Sequence, residues 1–320
     1  MININVSNPK YQLSIDTLYL IKKLTNEEKQ FIHDRLEFCR ASKYYRHTLH
    51  FADIGVRFNL SPKKEELHTN FNAQIQLHKE FFTSDIPDSI MEIITQIDWS
   101  VTRLDLSYDF KTDMKDSILF KHDKRLKDSG KHYSNETYYI GSYHVEDGQK
   151  QKKSIIHYDR NVKNRKRNSP ITHLYGNRLE PRLKFAMKDM KLASMNHELI
   201  MKELMRYRFI SDIDSMKDTN GWQKNRIRKM QQDYNQFLSY SAKEQRAIRK
   251  TFKANREPID EYYAEHVEHL FSPFKATQDE LQAITTVLHP TAGLFMQRHS
   301  TAGIRYLYTR EGGTTYAEVS

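Results

Sequence analysis

Thr102-Arg103-Leu104-Asp105-Leu106-Ser107-Tyr108-Asp109-Phe110 alternates so regularly that it can be read in only one way. Side chains along a strand point to opposite faces with period two. Leu104, Leu106, Tyr108 and Phe110 therefore share one face, and Arg103, Asp105, Ser107 and Asp109 the other. Asn177-Arg178-Leu179-Glu180-Pro181-Arg182-Leu183-Lys184-Phe185 repeats the pattern, with Arg178, Glu180, Arg182 and Lys184 opposite Leu179, Leu183 and Phe185. Thr137-Tyr138-Tyr139-Ile140-Gly141-Ser142 and Ile155-Ile156-His157-Tyr158-Asp159 also read as strands. They bracket a turn signal, Asp147-Gly148, and so predict a hairpin with an extended connection.

Working outward, a strand is expected within residues 11–23, and a helix capped by Thr25 and Glu28 follows it. Another strand runs from Ile54 to Leu60, and Pro87 opens a helix bearing Ile90, Ile93, Ile94 and Ile97. After Tyr158 comes a basic stretch, Arg160, Lys163, Arg165, Lys166 and Arg167, read as a loop ending at Ser169-Pro170. From about Met190 the periodicity turns helical. Ile227, Met230, Tyr234, Phe237 and Leu238 fall on one face, with Lys224, Arg228 and Lys229 on the other. A second basic helix carries Arg246, Arg249 and Lys250, and Thr277 with Glu280 caps a further one. The end, from about Thr309, reads as loosely held. The expected class is α+β: residues 1–190 on an antiparallel or mixed sheet with flanking helices, and 191–320 mainly helical and basic.

Composition narrows the partners. The 320 residues carry a formal net charge of +10, which favours a polyanion. Mean hydropathy is −0.80, no apolar run approaches spanning length, and no signal-peptide layout opens the chain, so nucleic acid is expected rather than membrane. Cys39 is the single cysteine, which excludes an internal disulfide and a multi-cysteine zinc site and fits a cytoplasmic protein. The 10 glycines and 8 prolines are too few for long linkers. Gly130-Lys131 continues to His132 with no earlier glycine, so there is no phosphate-binding loop for a nucleotide. His47 with His50 and His266 with His269 could suggest metal sites but form no His-hydrophobic-His motif, and His197-Glu198 lacks a second zincin histidine; these read as structural or surface residues. No helix-turn-helix signature stands out.

If the four strands share a sheet, one face collects carboxylates, guanidinium groups and a phenol. A tyrosine that cleaves a phosphodiester must lose its proton, and the phosphate charge and leaving oxygen must be stabilised. A carboxylate-held Mg²⁺ or Mn²⁺, or Arg and Lys clamps, can do the latter. The segments resemble the trans-acting rolling-circle replication initiators of small Gram-positive plasmids, a family that also includes relaxases of some conjugative elements. Arg103 to Phe110, Tyr139-Ile140-Gly141, Ile155 to Arg160, and Arg178 to Lys184 match its motifs in order, with Val56-Arg57-Phe58-Asn59 upstream. The resemblance spans roughly residues 54 to 185.

That resemblance implies an enzyme that nicks and rejoins one strand at a plasmid double-strand origin through a 5′-phosphotyrosine. It implies Tyr158 as nucleophile, with Tyr139 and Tyr175 in reserve, and a Mg²⁺ or Mn²⁺ site from Asp105 or Asp109 with Glu180. Asp105 is central in its strand; Asp109 could instead shape a turn, and Glu180 could simply pair with arginine. Arg178 and Arg182 are the expected phosphate clamps. Arg160, Lys163, Arg165, Lys166, Arg167, Lys224, Arg228, Lys229, Arg246, Arg249 and Lys250 are the expected DNA contacts. A homodimer and recruitment of a host helicase are further implications. A mobilisation relaxase and a non-catalytic DNA-binding regulator are the alternatives. Arg160 stands where lysine is usual and His157 precedes the tyrosine. Pro181 interrupts the last strand, so that strand is expected at an edge or bulged.

Overall fold

A computed structural model describes residues 6–37, 41–64, 70–121, 137–141, 154–233, 236–274, 307–308 and 314–315. The class is α+β, as expected. Its centre is one antiparallel sheet built from β1 (Val6–Ser7), β2 (Tyr11–Lys22), β3 (Tyr45–Phe51), β4 (Val56–Pro62), β5 (Ala73–His78), β6 (Ser100–Phe110), β8 (Thr137–Gly141), β9 (Ser154–Asp159) and β10 (Asn177–Lys184). The order is β3-β4-β5-β2-β6-β10-β9-β8, with β1 paired to β2. A separate pair joins β7 (Ile118–Lys121) to β11 (Tyr207–Ile210). All four strands quoted at the outset are neighbours in the sheet.

The alternation of β6 puts Leu104, Leu106, Tyr108 and Phe110 into the main core. Against that core pack α2 (Asp88–Gln96), α4 (His197–Leu204) and α8 (Ile259–Leu270). In α2, Ile90, Ile93 and Ile94 are buried at helical spacing, each contributing about 2 kcal/mol of transfer free energy. In α8, Tyr262 stacks on Tyr11 at 4.0 Å between ring centroids, and the Ile259 carbonyl accepts from the Tyr108 hydroxyl at 2.9 Å. The expected capping box of α1 (Asn26–His33) is present, Thr25 and Glu28 each closing on the other's backbone.

A second core gathers Ile118, Phe120, Ile210, Ile213 and Met216 with Ile227 and Met230 of α5 (Gly221–Gln232), Phe237 of α6 (Gln236–Ser239), and Ile248 and Phe252 of α7 (Ala242–Asn255). Residues on both sides of position 190 contribute to each core.

Several local expectations are corrected. Arg160–Lys166 is a helix, α3, rather than a loop, because Asp159 caps it by accepting from the Asn161 and Val162 amides at 2.7 and 3.0 Å. Pro181 lies in an interior strand without a bulge. Its register with β9 is unbroken, while on the β6 side no pair forms at Glu180 or Pro181, which locates the missing donor there. The apolar stripe from Ile227 does not continue through Leu238: α5 ends at Gln232, and Leu238 is 66% exposed. Cys39, Tyr234, the Asp147-Gly148 turn, the helix expected at Thr277 and the chain around Thr309 lie outside the described residues.

Candidate active site

The register of β2, β6, β10 and β9 brings their polar alternates onto one face. Asp109, Arg178 and Tyr158 face one another across three strands, and Asp105 stands beside Arg182. All six candidates from the strand motifs therefore share that face, and Asp105, Asp109, Tyr158, Arg178 and Glu180 are all buried. Charged groups so placed must be paired.

The pairing forms two linked groups. In the first, the Tyr158 hydroxyl donates to Glu180 Oε2 at 3.1 Å, and Glu180 Oε1 accepts from Arg182 Nε at 2.7 Å. Arg182 reaches Asp105 at 3.9 Å, and Asp105 is held by Arg103 through Nε at 2.9 Å and Nη2 at 2.5 Å. In the second, Arg178 grips Asp109 with both arms of its fork, at 2.6 and 2.8 Å, and Arg160 adds a contact at 2.7 Å. Asp16 completes this group, accepting from Arg178 Nη1 at 3.2 Å. It occupies the extra position in β2 between Ile15, paired with Leu106, and Thr17, paired with Asp105. A bulge turns an otherwise misplaced carboxylate toward the site.

Burial pushes the Tyr158 phenol above its ordinary value, with Glu180 and Asp16 adding to the rise and Arg178 opposing it. Burial likewise raises Asp105, against the pull of Arg103 and Arg182. For Arg178, burial works against the charge, but Asp109 outweighs it and keeps the guanidinium firmly protonated. Lys163 of α3 places its ammonium 4.3 Å from the Tyr158 ring centroid. Much of that side chain is exposed, yet desolvation at its tip lowers the ammonium below its usual value. Lys79, next after His78 of β5, is also lowered, by burial and then by Arg160 and Arg178. Around the phenol, four carboxylates (Asp16, Asp105, Asp109, Glu180) meet six cations (Lys79, Arg103, Arg160, Lys163, Arg178, Arg182). The surplus suits an anion such as a phosphodiester.

The divalent cation implied by the family resemblance does not fit this donor set as arranged. Both oxygens of Asp105, of Glu180 and of Asp109 already accept from arginine or tyrosine. Among the described residues no three His, Cys, Asp or Glu side chains converge. A cation at Asp105 and Glu180 would have to displace Arg103 and Arg182.

On the opposite face, His157 is fully enclosed. Its Nε2 lies 3.1 Å from Ser117 Oγ and 2.7 Å from Asn177 Oδ1, and its ring meets Phe209 edge-on at 5.1 Å. Burial lowers its pKa to about 4. Gln231 at the end of α5 donates to the Met114 and Ser117 carbonyls at 3.2 and 2.6 Å, tying that helix to the same segment.

The other basic candidates lie on three helices, α3, α5 and α7. Arg165, Lys166 and Arg167 are exposed at the end of α3. On α5, Lys229 is exposed, Lys224 donates to the Asp214 carbonyl and Arg228 pairs with Asp214 at 2.6 Å. On α7, Arg246 and Lys250 are exposed, whereas Arg249 lies over the rings of Phe237 and Phe120. Tyr175 donates to the Asn8 carbonyl; the side chain of Tyr139 lies outside the described residues. Sequence reading missed Asp16 and Lys79, since a bulge and a residue just past a strand end leave no periodic signal. Arg103 was legible as a polar alternate but not as the partner of Asp105. Among the described residues, no helix is long and apolar enough to cross a membrane.

The chain matches no protein-family model and no curated protein. It is similar to a solved structure of a rolling-circle replication initiator protein from Geobacillus stearothermophilus, with a TM-score of 0.36 and 13% sequence identity, over 68% of this chain and 91% of that one.

Proposed function

We propose that this chain is a DNA strand transferase that nicks and rejoins one strand at a replication origin through Tyr158. The observation that carries the reading is the Tyr158 hydroxyl donating to Glu180 within a buried, cation-rich face. Glu180 is placed to take the phenol proton, and Arg182 fixes its carboxylate. Arg178, Arg160 and Lys163 supply the positive charge that a scissile phosphate requires. Their approach to a phosphate also favours the phenolate.

In the step itself, the Tyr158 oxygen forms a bond to phosphorus as the bond from phosphorus to the 3′-oxygen breaks. Glu180 receives the phenol proton, and Lys163 gives a proton to the departing oxygen. The products are a 5′-phosphotyrosine and a free 3′-hydroxyl, and reversal rejoins the strand. Tyr158 is only 5% exposed, so the strand gains access as the exposed Lys163 side chain swings off the ring face toward the scissile phosphate, with α3 in place.

Incubating the protein with supercoiled plasmid carrying its origin tests this. Relaxed circles with protein on the 5′ end are expected, and Tyr158→Phe should yield none while still binding DNA. Full nicking by that variant would refute the assignment. A band shift with no relaxed circles from the parent would instead indicate a regulator.

A further inference from the structure

The polar face does not stop at Tyr158; it continues across the other half of the sheet. Cross-strand pairing aligns His50 with Arg57, Arg57 with Gln76, Gln76 with Tyr19, Tyr19 with Arg103, and Arg103 with Lys184. This single row crosses β3, β4, β5, β2, β6 and β10. It holds no carboxylate, and each member is exposed or half-buried. Five strand-to-strand steps of ~4.8 Å give it a length of about 24 Å.

Two features of the row point to an absent ligand. Arg57 Nε is buried and has no hydrogen-bond partner, a costly state for a guanidinium donor. Tyr19, at the middle of the row, presents a half-buried ring with the Arg103 guanidinium 5.0 Å from its centroid. An acceptor anion satisfies the first once the half-buried Arg57 side chain turns outward to meet it, and a planar base suits the second.

We infer that this row is a track for single-stranded nucleic acid. Phosphate sits on Arg57, a base stacks at Tyr19, and His50 and Gln76 offer polar contacts between them. A flat row with an aromatic at its centre fits a splayed strand, whose bases are free to stack, better than a rigid duplex. Its length accommodates about four nucleotides, the small end of single-strand sites. The inference rests on the strand-transferase reading, because the row leads from the Tyr158 group toward the far sheet edge.

The test uses the full chain and a fluorescent 12-nucleotide strand, with a duplex of the same sequence as comparison. Arg57→Ala and Tyr19→Ala should each weaken single-strand binding about tenfold and leave duplex binding unchanged. Tyr19→Phe should bind like the parent, since stacking needs the ring and not the hydroxyl. Photocrosslinking a bromouracil-containing strand should label Tyr19 in the parent, a readout independent of variant folding. Parent-like binding by both alanine variants, equal weakening toward duplex, or labelling elsewhere would overturn the track. Nicking of supercoiled DNA, scored in parallel, separates the two ideas. If Tyr158→Phe abolishes nicking while the row variants bind normally, only the track fails. If the parent never nicks but the row variants lose the strand, only the nicking reading fails.

Discussion

Asp109→Asn separates an anchoring carboxylate from a metal ligand. Asp109 and Arg178 have side chains 5% and 6% exposed and meet through two hydrogen bonds, with Arg160 adding a third. Removing one charge from such a pair leaves the other buried and uncompensated, which costs about 3–5 kcal/mol. Two facts place the expected loss at the lower end. Asn keeps one acceptor oxygen, and Arg178 retains Asp16 at 3.2 Å. A destabilisation of about 3 kcal/mol, or a fall in Tm of roughly 6 °C, is therefore expected. Urea unfolding of parent and variant without added divalent cation measures it. Adding Arg178→Met should recover part of the loss, because it removes the orphaned charge. A change below about 1 kcal/mol would refute the anchoring argument, and a variant of full stability that has lost only its response to Mn²⁺ would return Asp109 to the role of ligand.

Arg182→Ala should free Glu180 Oε1, and Arg182→Ala with Arg103→Ala should free Asp105 too and tighten Mn²⁺ binding by calorimetry; unchanged binding in the double variant would show that the arginines are not what fills that space. His157 is buried with its pKa at about 4, so the folded state resists a proton that the unfolded chain accepts near 6.5. Its contribution is complete above about pH 6.5 and is lost as pH falls toward 4, amounting to about 2 kcal/mol between pH 7 and pH 5. Unfolding free energies of His157→Gln should lack that part of the acid dependence, and an identical slope in parent and variant would count against it. On α5, Lys229→Ala should reduce the salt dependence of DNA binding by about one phosphate contact, and Arg228→Ala by less, because Asp214 already holds Arg228. Equal slopes would remove α5 from the interface.

Period-two alternation was enough to assign β6 and β10 and to divide their residues between faces. One side was filled by Leu104, Leu106 and Leu179, and charge on the other could only be tolerated in pairs. That logic put Arg178 and Glu180 on one face; the resemblance, not the alternation, singled out Tyr158 to join them if the strands share a sheet. It failed where a single backbone irregularity mattered. The extra residue at Asp16 shifts β2 by one position, and nothing in Ser14-Ile15-Asp16-Thr17 announces it. Pro181 argued for an edge, yet its missing donor is absorbed on one side of an interior strand. Arg160 to Lys166 looked like solvated basic loop because four residues supply one helical turn of charge; the decisive signal was the Asp159 cap. Partners in an ion pair are not encoded locally either, so Asp105 looked as available to a metal as to Arg103.

Gln231, Ser117 and His157 give the basic helix and the phenol-bearing strand a common hinge point. On the proposed reading, a polyanion drawn onto Lys229 would pull on the helix whose last turn grips the carbonyl of Ser117. The serine's own hydroxyl lies against the imidazole beside Tyr158. Displacing α5 must therefore either snap those contacts or drag β9 along. On the proposed reading, docking on α5 and the position of Tyr158 are thus coupled through one short chain of contacts.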